Sequence, residues 1–310
     1  MSLHPGEITV DAVPLPLGCG DLCPCRKPAL DPDGWRWVYS ANVRCRLTET
    51  SANVFVYVYE TWGGGILTLL LSIFPGVDLL GAAFEEEWPE ACVVRGPDPI
   101  FGGDIRTFHP PAGAFSGVFG GPPCQMFSGL GNLARARGVV HENLIPEFER
   151  VVFEASPAWF LMENVEAAPV PSVPGYVVNA FVVNNRDFGG DQNRERRFSF
   201  GSVAGVRIDG RVCSEALAAP RPRAFRGAVT SAHAGHRKTH SSKVTGGKIE
   251  RYTPAEAAEL QGLPADFLAK APFTQAGRLK AIANGVPLPL GRAIARAVRA
   301  ALDAREEATA

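Results

Sequence analysis

Residues 66–74 read ILTLLLSIF, a run without a charged side chain. Three similar runs follow it: ACVVRG at 91–96, AFSGVFGG at 114–121 and AWFLMENV at 158–165. Their hydrophobicity is continuous rather than alternating, which is typical of strands covered on both faces of a parallel sheet. Helical stretches separate the runs, so the chain from 66 to about 200 has the rhythm of βαβ units. The sequence therefore predicts an α/β fold.

The region before these runs has a different composition. Residues 1–65 are rich in Cys and Pro, carry the strand pattern NVFVYVY at 53–59, and end in the flexible joint Gly63-Gly64-Gly65. We expect residues 1–65 to form an extension separate from the main domain. The whole chain has 310 residues, of which 46% are hydrophobic and 20% charged, so it can bury a large core and is not intrinsically disordered.

Charge is unevenly distributed along the chain. The formal net charge of −1 gives no overall case for a nucleic acid partner. Between Glu215 and Glu250, however, there is no acidic residue. The positive residues of this stretch are Arg221, Arg223, Arg226, Arg237, Lys238, Lys243 and Lys248. Taken alone, such a run is typical of a solvated loop, but it also predicts a local surface for phosphates.

Four of the seven cysteines, Cys19, Cys23, Cys25 and Cys45, lie close to the start of the chain. Four thiolates would suffice for a structural zinc site. Their C-x-x-x-C-x-C spacing lacks the usual paired C-x-x-C arrangement, so we expect no metal. No basic start followed by an apolar run resembles a secretory signal, and no run is long enough to cross a membrane. These observations favour a cytoplasmic location with reduced thiols.

The sharpest local signal is Gly120-Gly121-Pro122-Pro123-Cys124-Gln125, which directly follows the run at 114–121. Two glycines and two prolines at the carboxyl end of a strand build a rigid turn, at the sheet edge where open α/β folds bind ligands. A thiol presented there is a candidate nucleophile. The alternative is a buried structural cysteine in a tight loop.

Further motifs fall where they can join Cys124. Glu163 ends the run at 158–165, which brings a carboxylate to the same sheet edge. Arg194 and Arg196 of QNRERRF (192–198) share one face if that segment is extended. Thr253-Pro254 predicts the start of a helix, and the glycine turn ANGVP (283–287) precedes a second helix expected at about 290–306.

With these motifs in this order, the chain resembles the DNA (cytosine-5)-methyltransferases, of a compact phage-like or orphan type. The resemblance covers about residues 66–305. Its motifs are FPGVDLLGAAFE (74–85), GGDIR (102–106), GGPPCQMFS (120–128), MENV (162–165), QNRERRF (192–198), RYTPAEAAELQGLP (251–264) and ANGVP (283–287). It implies a Rossmann-like methyltransferase sheet, with the catalytic domain at 66–198 and 251–310 and a short basic target-recognition region at 199–250.

The resemblance also implies a mechanism. Cys124 would add to carbon 6 of cytosine, so that carbon 5 can accept a methyl group. Glu163 would bind ring nitrogen 3 and the exocyclic amine. Arg194 is expected to hold the base carbonyl and the nucleophile, and Arg196 to brace the site or a phosphate.

S-adenosyl-L-methionine is the cofactor that the resemblance implies. The matching positions are Phe74, Pro75, Gly76, Val77, Asp98, Asp104, Ile105, Pro122, Asn284, Gly285 and Val286. Two features depart from the family. The usual Gly-x-Gly-Gly ending of the first turn is absent, and Asp98, the candidate for the ribose carboxylate, comes about two positions late. The interval between Asp98 and Asp104 is also too short for a crossover helix.

Double-stranded DNA is the implied partner, with the target base flipped out of the stack. The candidate contacts are Gln125, Ser128, Arg135, Arg137, Gln192, Arg221, Arg223, Arg226, Arg237, Lys238 and Lys243. Residues 125–141 resemble the mobile loop that closes over the base. We expect a monomer, with a cognate restriction enzyme as a further partner to test. The alternatives are a transfer RNA cytosine-5 methyltransferase and a catalytically silent DNA-binding homologue.

Overall fold

The computed structural model describes residues 8–11, 36–40, 43–49, 54–61, 68–101, 103–127, 138, 141–208, 226–230 and 252–309. The first four strands are β1 (Ile8–Asp11), β2 (Arg36–Ser40), β3 (Val43–Glu49) and β4 (Val54–Thr61). They pair antiparallel in the order β1-β4-β3-β2. β4 confirms the strand predicted at 53–59.

The main domain contains the other strands and the helices. The strands are β5 (Thr68–Ile73), β6 (Ala91–Arg95), β7 (Gly117–Gly120), β8 (Trp159–Asn164), β9 (Val177–Asn184), β10 (Gln192–Asn193), β11 (Glu195–Ser202) and β12 (Arg226–Gly227). The α-helices are α1 (Leu79–Glu87), α2 (Ile145–Ala155), α3 (Pro254–Leu260), α4 (Gln275–Asn284) and α5 (Leu288–Thr309). Within the described residues, no helix is both long and apolar enough to cross a membrane.

Six of these strands form one sheet in the order β6-β5-β7-β8-β11-β9. β6, β5, β7 and β8 are parallel, and they coincide with the four apolar runs of the sequence. β11 lies between β8 and β9 and is antiparallel to both. The predicted α/β class is confirmed, whereas the antiparallel pair at the β9 edge was not anticipated.

The described part of the connection from β6 to β7 lacks a crossover helix, as the interval between Asp98 and Asp104 predicts. Its described residues form 3₁₀ turns and loop, without a strand or an α-helix. Arg150 of α2 holds this segment, since its guanidinium donates to the carbonyls of Ile105 (2.8 Å) and Phe108 (3.0 Å). An arginine therefore fixes backbone that a crossover helix would otherwise support.

Each face of the sheet has its own core. On one face, α1 and α5 cover a stack of aromatic rings in which the centroids of Phe84 and Phe119 lie 4.5 Å apart. On the other face, α2 packs Phe148 and Val152 against β5, β7 and β8. The centre of the sheet is tight, because a Cβ at Gly117 would lie 2.2 Å from the ring of Trp159.

The last helix closes the domain against the first. α5 buries Leu290, Ile294 and Val298 in the α1 face of the core. At the edge of this contact, three arginines of α5 pair with two glutamates at the end of α1 and with one glutamate just beyond it. The pairs are Arg292 with Glu86, Arg296 with Glu87, and Arg299 with Glu90.

Candidate active site

The loop that carries Cys124 begins where β7 ends. A Cβ at Gly120 would lie 2.1 Å from the carbonyl oxygen of Ile73, and one at Gly121 would lie 3.0 Å from Oε2 of Glu163. Only glycines allow β7 to approach its neighbours this closely. Cys124 follows the two prolines, half-buried, and its carbonyl accepts a 3.0 Å hydrogen bond from the N–H of Phe127. The predicted rigid turn is therefore present.

Glu163 lies at the end of the neighbouring strand, β8, and its carboxylate is buried. Nε of Arg196 lies 2.8 Å from Oε1 of Glu163. The next residue, Asn164, donates a 3.0 Å hydrogen bond to the carbonyl of Pro122. This bond ties the end of β8 to the Cys124 loop, so the thiol and the carboxylate are held at one edge of the sheet.

The electrostatics of this edge keep the thiol protonated. Burial raises the pKa of Cys124, and the negative charge of Glu163 raises it further. The positive charges of Arg196 and Arg194 act in the opposite direction but are outweighed. The described chain thus holds its candidate nucleophile as a thiol that needs an additional charge, or a proton acceptor, to become a thiolate.

Arg194 lies elsewhere than expected for a residue that holds the base. Its guanidinium is buried and donates to the carbonyls of Val229 (2.9 Å), Ala283 (3.0 Å) and Gly285 (3.2 Å). Arg196 of β11 is the arginine that reaches Glu163. Periodicity alone could not separate the two, because Arg194 lies in the break between β10 and β11 rather than inside one strand.

A cleft opens beside the thiol loop, between the ends of β5 and β7 and the turn that joins α4 to α5. Its volume is about 360 Å³ including space open to solvent. The lining residues are Ser72, Ile73, Phe74, Pro75, Asp78, Leu79, Leu80, Phe119, Gly120, Gly121, Glu163, Asn284, Gly285 and Val286. The cleft therefore brings five of the predicted cofactor residues, Phe74, Pro75, Asn284, Gly285 and Val286, next to Glu163.

Asp78 is a cleft residue that the sequence analysis missed. Its backbone is left-handed (φ 52°, ψ 47°), and its carboxylate caps α1 by accepting from the N–H of Gly81 at 3.1 Å. The same carboxylate accepts from the hydroxyl of Ser72 at 2.8 Å and lies 2.7 Å from Nε of Arg95. An aspartate just before an apolar helical run is an N-cap signal that could have identified it.

The two aspartates expected at the cofactor have other partners. Both carboxylate oxygens of Asp98 accept backbone N–H groups, from Gly76 at 2.9 Å and from Ile100 at 2.8 Å. Asp98 thus supports the turn at Gly76 instead of presenting free oxygens to a ribose. Asp104 is exposed and is paired with Arg106 at 2.9 Å. Ile105 is buried in the core, on the α2 side of the sheet.

The remaining cofactor candidates lie in the same neighbourhood. Gly76 turns in the left-handed region (φ 57°), where glycine carries no steric penalty. Val77 packs against the cluster formed by α3 and α4. The carbonyl of Pro122 already accepts a hydrogen bond from the side chain of Asn164.

The predicted DNA contacts divide into three groups. Gln192 is fully buried and bonded to backbone and to Gln261, so its side chain is not open to DNA in this structure. Gln125 and Arg226 are partly exposed, and the guanidinium of Arg226 lies 4.8 Å from the centre of the Tyr252 ring. The others lie outside the described residues: Ser128, Arg135, Arg137, Arg221, Arg223, Arg237, Lys238 and Lys243.

The structure does not describe the side chains of the four cysteines that were considered as zinc ligands. Cys19, Cys23 and Cys25 lie outside the described residues, as does the side chain of Cys45. Among the residues whose side chains are described, no cluster of His, Cys, Asp and Glu is suited to hold a metal ion.

The comparison with protein families decides how this site is interpreted. Residues 100–169 match the C-5 cytosine-specific DNA methylase family. The matching segment contains the Cys124 loop, α2 and the Glu163 strand, which are the parts that form the sheet edge described above. The resemblance to this family is confirmed.

Two relatives of this methylase family come from Herpetosiphon aurantiacus. The chain is 35% identical over 102 residues to the Type II methyltransferase M.HgiDI, covering 30% of this chain and 32% of the relative. It is 39% identical over 69 residues to the Type II methyltransferase M.HgiGI, covering 22% and 49%. The chain thus matches between a third and a half of the length of these relatives.

A solved structure extends the comparison to the fold. The Dnmt2 methyltransferase of S. pombe covers 76% of this chain and 98% of its own, with a TM-score of 0.54 and 13% sequence identity. At this identity the likeness concerns the fold alone. The predicted methyltransferase-type sheet is confirmed by it.

Proposed function

We propose that this protein transfers a methyl group from S-adenosyl-L-methionine to carbon 5 of cytosine in DNA. The observation that carries the proposal is that Cys124 and the Glu163–Arg196 ion pair lie at the same edge of the sheet, beside an open cleft. The match of residues 100–169 to the methylase family supports the same chemistry.

The residues around the cleft fit this cofactor. Phe74 and Pro75 offer apolar surface for a purine. The first turn of α1 adds the apolar side chains of Leu79 and Leu80 to this wall of the cleft. The loop that joins α4 to α5 supplies the opposite wall through Asn284, Gly285 and Val286. When bound, the cofactor supplies an electrophilic methyl group.

The chain's own residues perform the chemistry on the base. Cys124 loses its proton and forms a bond from sulfur to carbon 6, which places electron density on carbon 5. Glu163 binds ring nitrogen 3 and the exocyclic amine, and Arg196 keeps its carboxyl oriented. After carbon 5 has taken the methyl group, it gives up its proton to a base, and the electrons of that bond expel the thiolate of Cys124.

This chemistry needs the cytosine outside the double helix. Unstacking a base costs about a few kcal/mol, which binding to the surrounding strand must offset. The basic residues between Glu215 and Glu250 are suited to the phosphates. Phosphate contacts do not read sequence, so the short region at 199–250 favours a short or relaxed recognition site.

The test is transfer of tritium from labelled S-adenosyl-L-methionine to duplex DNA. We expect transfer by the wild type and a loss of at least 10³-fold for Cys124→Ser, because the hydroxyl is a much weaker nucleophile. Transfer to transfer RNA alone would replace DNA as the substrate. Absence of transfer to either nucleic acid, with DNA binding retained, would indicate a silent homologue. Mapping of modified cytosines in plasmid DNA then gives the site, and a long motif would contradict the expectation of a short one.

A further inference from the structure

We propose that Arg194 is a positioning residue of the cofactor cleft, which joins the turn at 283–285 to Val229, a residue within the basic region. The inference rests on the proposed function and extends it. Its consequence is that Arg194 sets the affinity for the cofactor, whereas Arg196 serves the base.

The first argument is the way in which the guanidinium of Arg194 is used. One terminal nitrogen donates to the carbonyl of Val229, and the other donates to the carbonyls of Ala283 and Gly285. The residue is 3% exposed. A buried cation with only carbonyl acceptors around it costs free energy unless these bonds form, so they constrain the backbone that supplies the carbonyls.

Two buried glutamines complete the same network. Nε2 of Gln261 donates to the carbonyls of Ile282 (2.8 Å) and Gly285 (3.1 Å). Nε2 of Gln192 donates to Oε1 of Gln261 (2.9 Å), and its Oε1 accepts from the N–H of Val229 (3.2 Å). The carbonyls that end α4 therefore receive their hydrogen bonds from side chains of other segments.

The network acts directly on the cleft, because Asn284 and Gly285 line it. Gly285 has little freedom to move towards α1, since a Cβ there would lie 2.6 Å from Cδ1 of Leu79. On its other side, the carbonyl of Gly285 is held by Arg194 and Gln261 together. The width of the cleft at this wall thus depends on the bonds from Arg194.

The same bonds link the cleft to the basic region. Both backbone groups of Val229 are bonded to the network, the carbonyl to Arg194 and the N–H to Gln192. Val229 lies two residues after the end of β12 and is fully buried. A ligand that orders the turn at 283–285 is expected to order residues 227–230 as well, although these do not line the cleft.

The experiment is titration calorimetry with S-adenosylhomocysteine, the demethylated form of the cofactor, in the absence of DNA. We expect Arg194→Lys to weaken binding at least tenfold, because an ammonium is a single point of charge that cannot span three carbonyls. The matched control is Arg196→Lys, which changes the partner of Glu163 and should keep the affinity within threefold while slowing methyl transfer. Wild-type affinity in Arg194→Lys would overturn the proposal.

A second measurement covers the case in which Arg194→Lys does not fold. Hydrogen exchange of the wild type, with and without S-adenosylhomocysteine, should slow at 227–230 as well as at 283–286. Unchanged exchange at 227–230 would overturn the link. Failure of the wild-type protein both to bind S-adenosylhomocysteine and to methylate DNA would refute the proposed function itself. That outcome differs from the one that overturns only the role of Arg194, in which Arg194→Lys binds S-adenosylhomocysteine as tightly as the wild type does.

Discussion

At the scale of single residues, burial and then the charge of Glu163 raise the pKa of the Cys124 thiol. Burial and this carboxylate both raise the pKa of Cys124, so the thiolate fraction is small at neutral pH and grows as pH rises. The positive charge of Arg196 opposes the shift but is itself paired with Glu163. Removal of the Glu163 carboxylate therefore removes one cause of the raised pKa of Cys124. It also leaves the positive charge of Arg196, which lowers this pKa, without its partner.

We expect Glu163→Gln to move the pH profile of Cys124 alkylation to lower pH. The wild-type thiol should react slowly with iodoacetamide at neutral pH and faster as pH increases. Mass spectrometry of the peptide that contains Cys124 gives the rate. Cys92 is the internal control, because burial raises its pKa to about 11 and Glu163 is not among the causes. An unchanged Cys124 profile in Glu163→Gln would contradict the electrostatic account.

Residues that act through local motifs were predictable, whereas those that act through distant partners were not. The turn around Cys124 and the strand end at Glu163 are each encoded within a few positions. The bonds of Arg194 join it to carbonyls 89 and 91 positions away. Gln192 similarly donates a hydrogen bond to the distant Gln261. Its polar side chain suggested a contact with DNA, but the fold buries it.

At the scale of elements, α1 begins with an unusual cap. Asp78 takes the left-handed conformation, which is rare for a residue other than glycine, and its carboxylate occupies the space above Gly81. A Cβ at Gly81 would lie 2.1 Å from this carboxylate. The cap and the glycine therefore depend on each other.

We expect Gly81→Ala to destabilise the protein, although alanine is the better helix former by about 1 kcal/mol. The added methyl group displaces the Asp78 carboxylate, and loss of such a cap costs roughly 0.5–2 kcal/mol. In an Asp78→Ala background, the same change should become neutral or stabilising, since nothing is left to displace. Urea unfolding of the four proteins gives the coupling.

Ala82→Gly is the matched control for this cycle. It lies in the same turn of α1 and should cost a similar amount with or without the Asp78 carboxylate. Additive effects of Gly81→Ala and Asp78→Ala would show that the cap and the glycine are independent.

The elements that the sequence failed to predict are those without a clear local pattern. β9 reads VVNAFVVN, and its exposed and half-buried positions do not follow the continuous pattern of the parallel strands. β11 begins with three charged residues, of which Arg196 faces Glu163. α4 carries Gly277 and few apolar residues, so its helix depends on the Thr274 cap and on packing against α3.

At the scale of the whole molecule, the contact between α1 and α5 is held by its buried residues more than by its ion pairs. Ile294 is fully buried in the core, whereas Arg296 above it is about half exposed. Exposed pairs contribute little, typically ~0–1 kcal/mol. Deleting the methyl groups of a buried isoleucine costs more, roughly 2–5 kcal/mol.

We therefore expect Ile294→Ala to lower the free energy of unfolding by several times as much as Arg296→Ala. Urea denaturation at low salt and at about 1 M salt checks this, because the Debye length falls to about 3 Å at 1 M. The effect of Arg296→Ala should shrink in salt and that of Ile294→Ala should persist. Equal effects at low salt would give the ion pairs a larger role than their exposure suggests.

The two walls of the cleft come from opposite ends of the domain. The turn from Phe74 to Asp78 emerges early from the ribosome, and the wall at 284–286 emerges some two hundred residues later. A growing chain therefore displays its thiol loop and its carboxylate strand well before the cleft has both walls. Translation that stops short of residues 284–286 would release a product without a complete cleft, so the order of synthesis itself delays the binding of any ligand there.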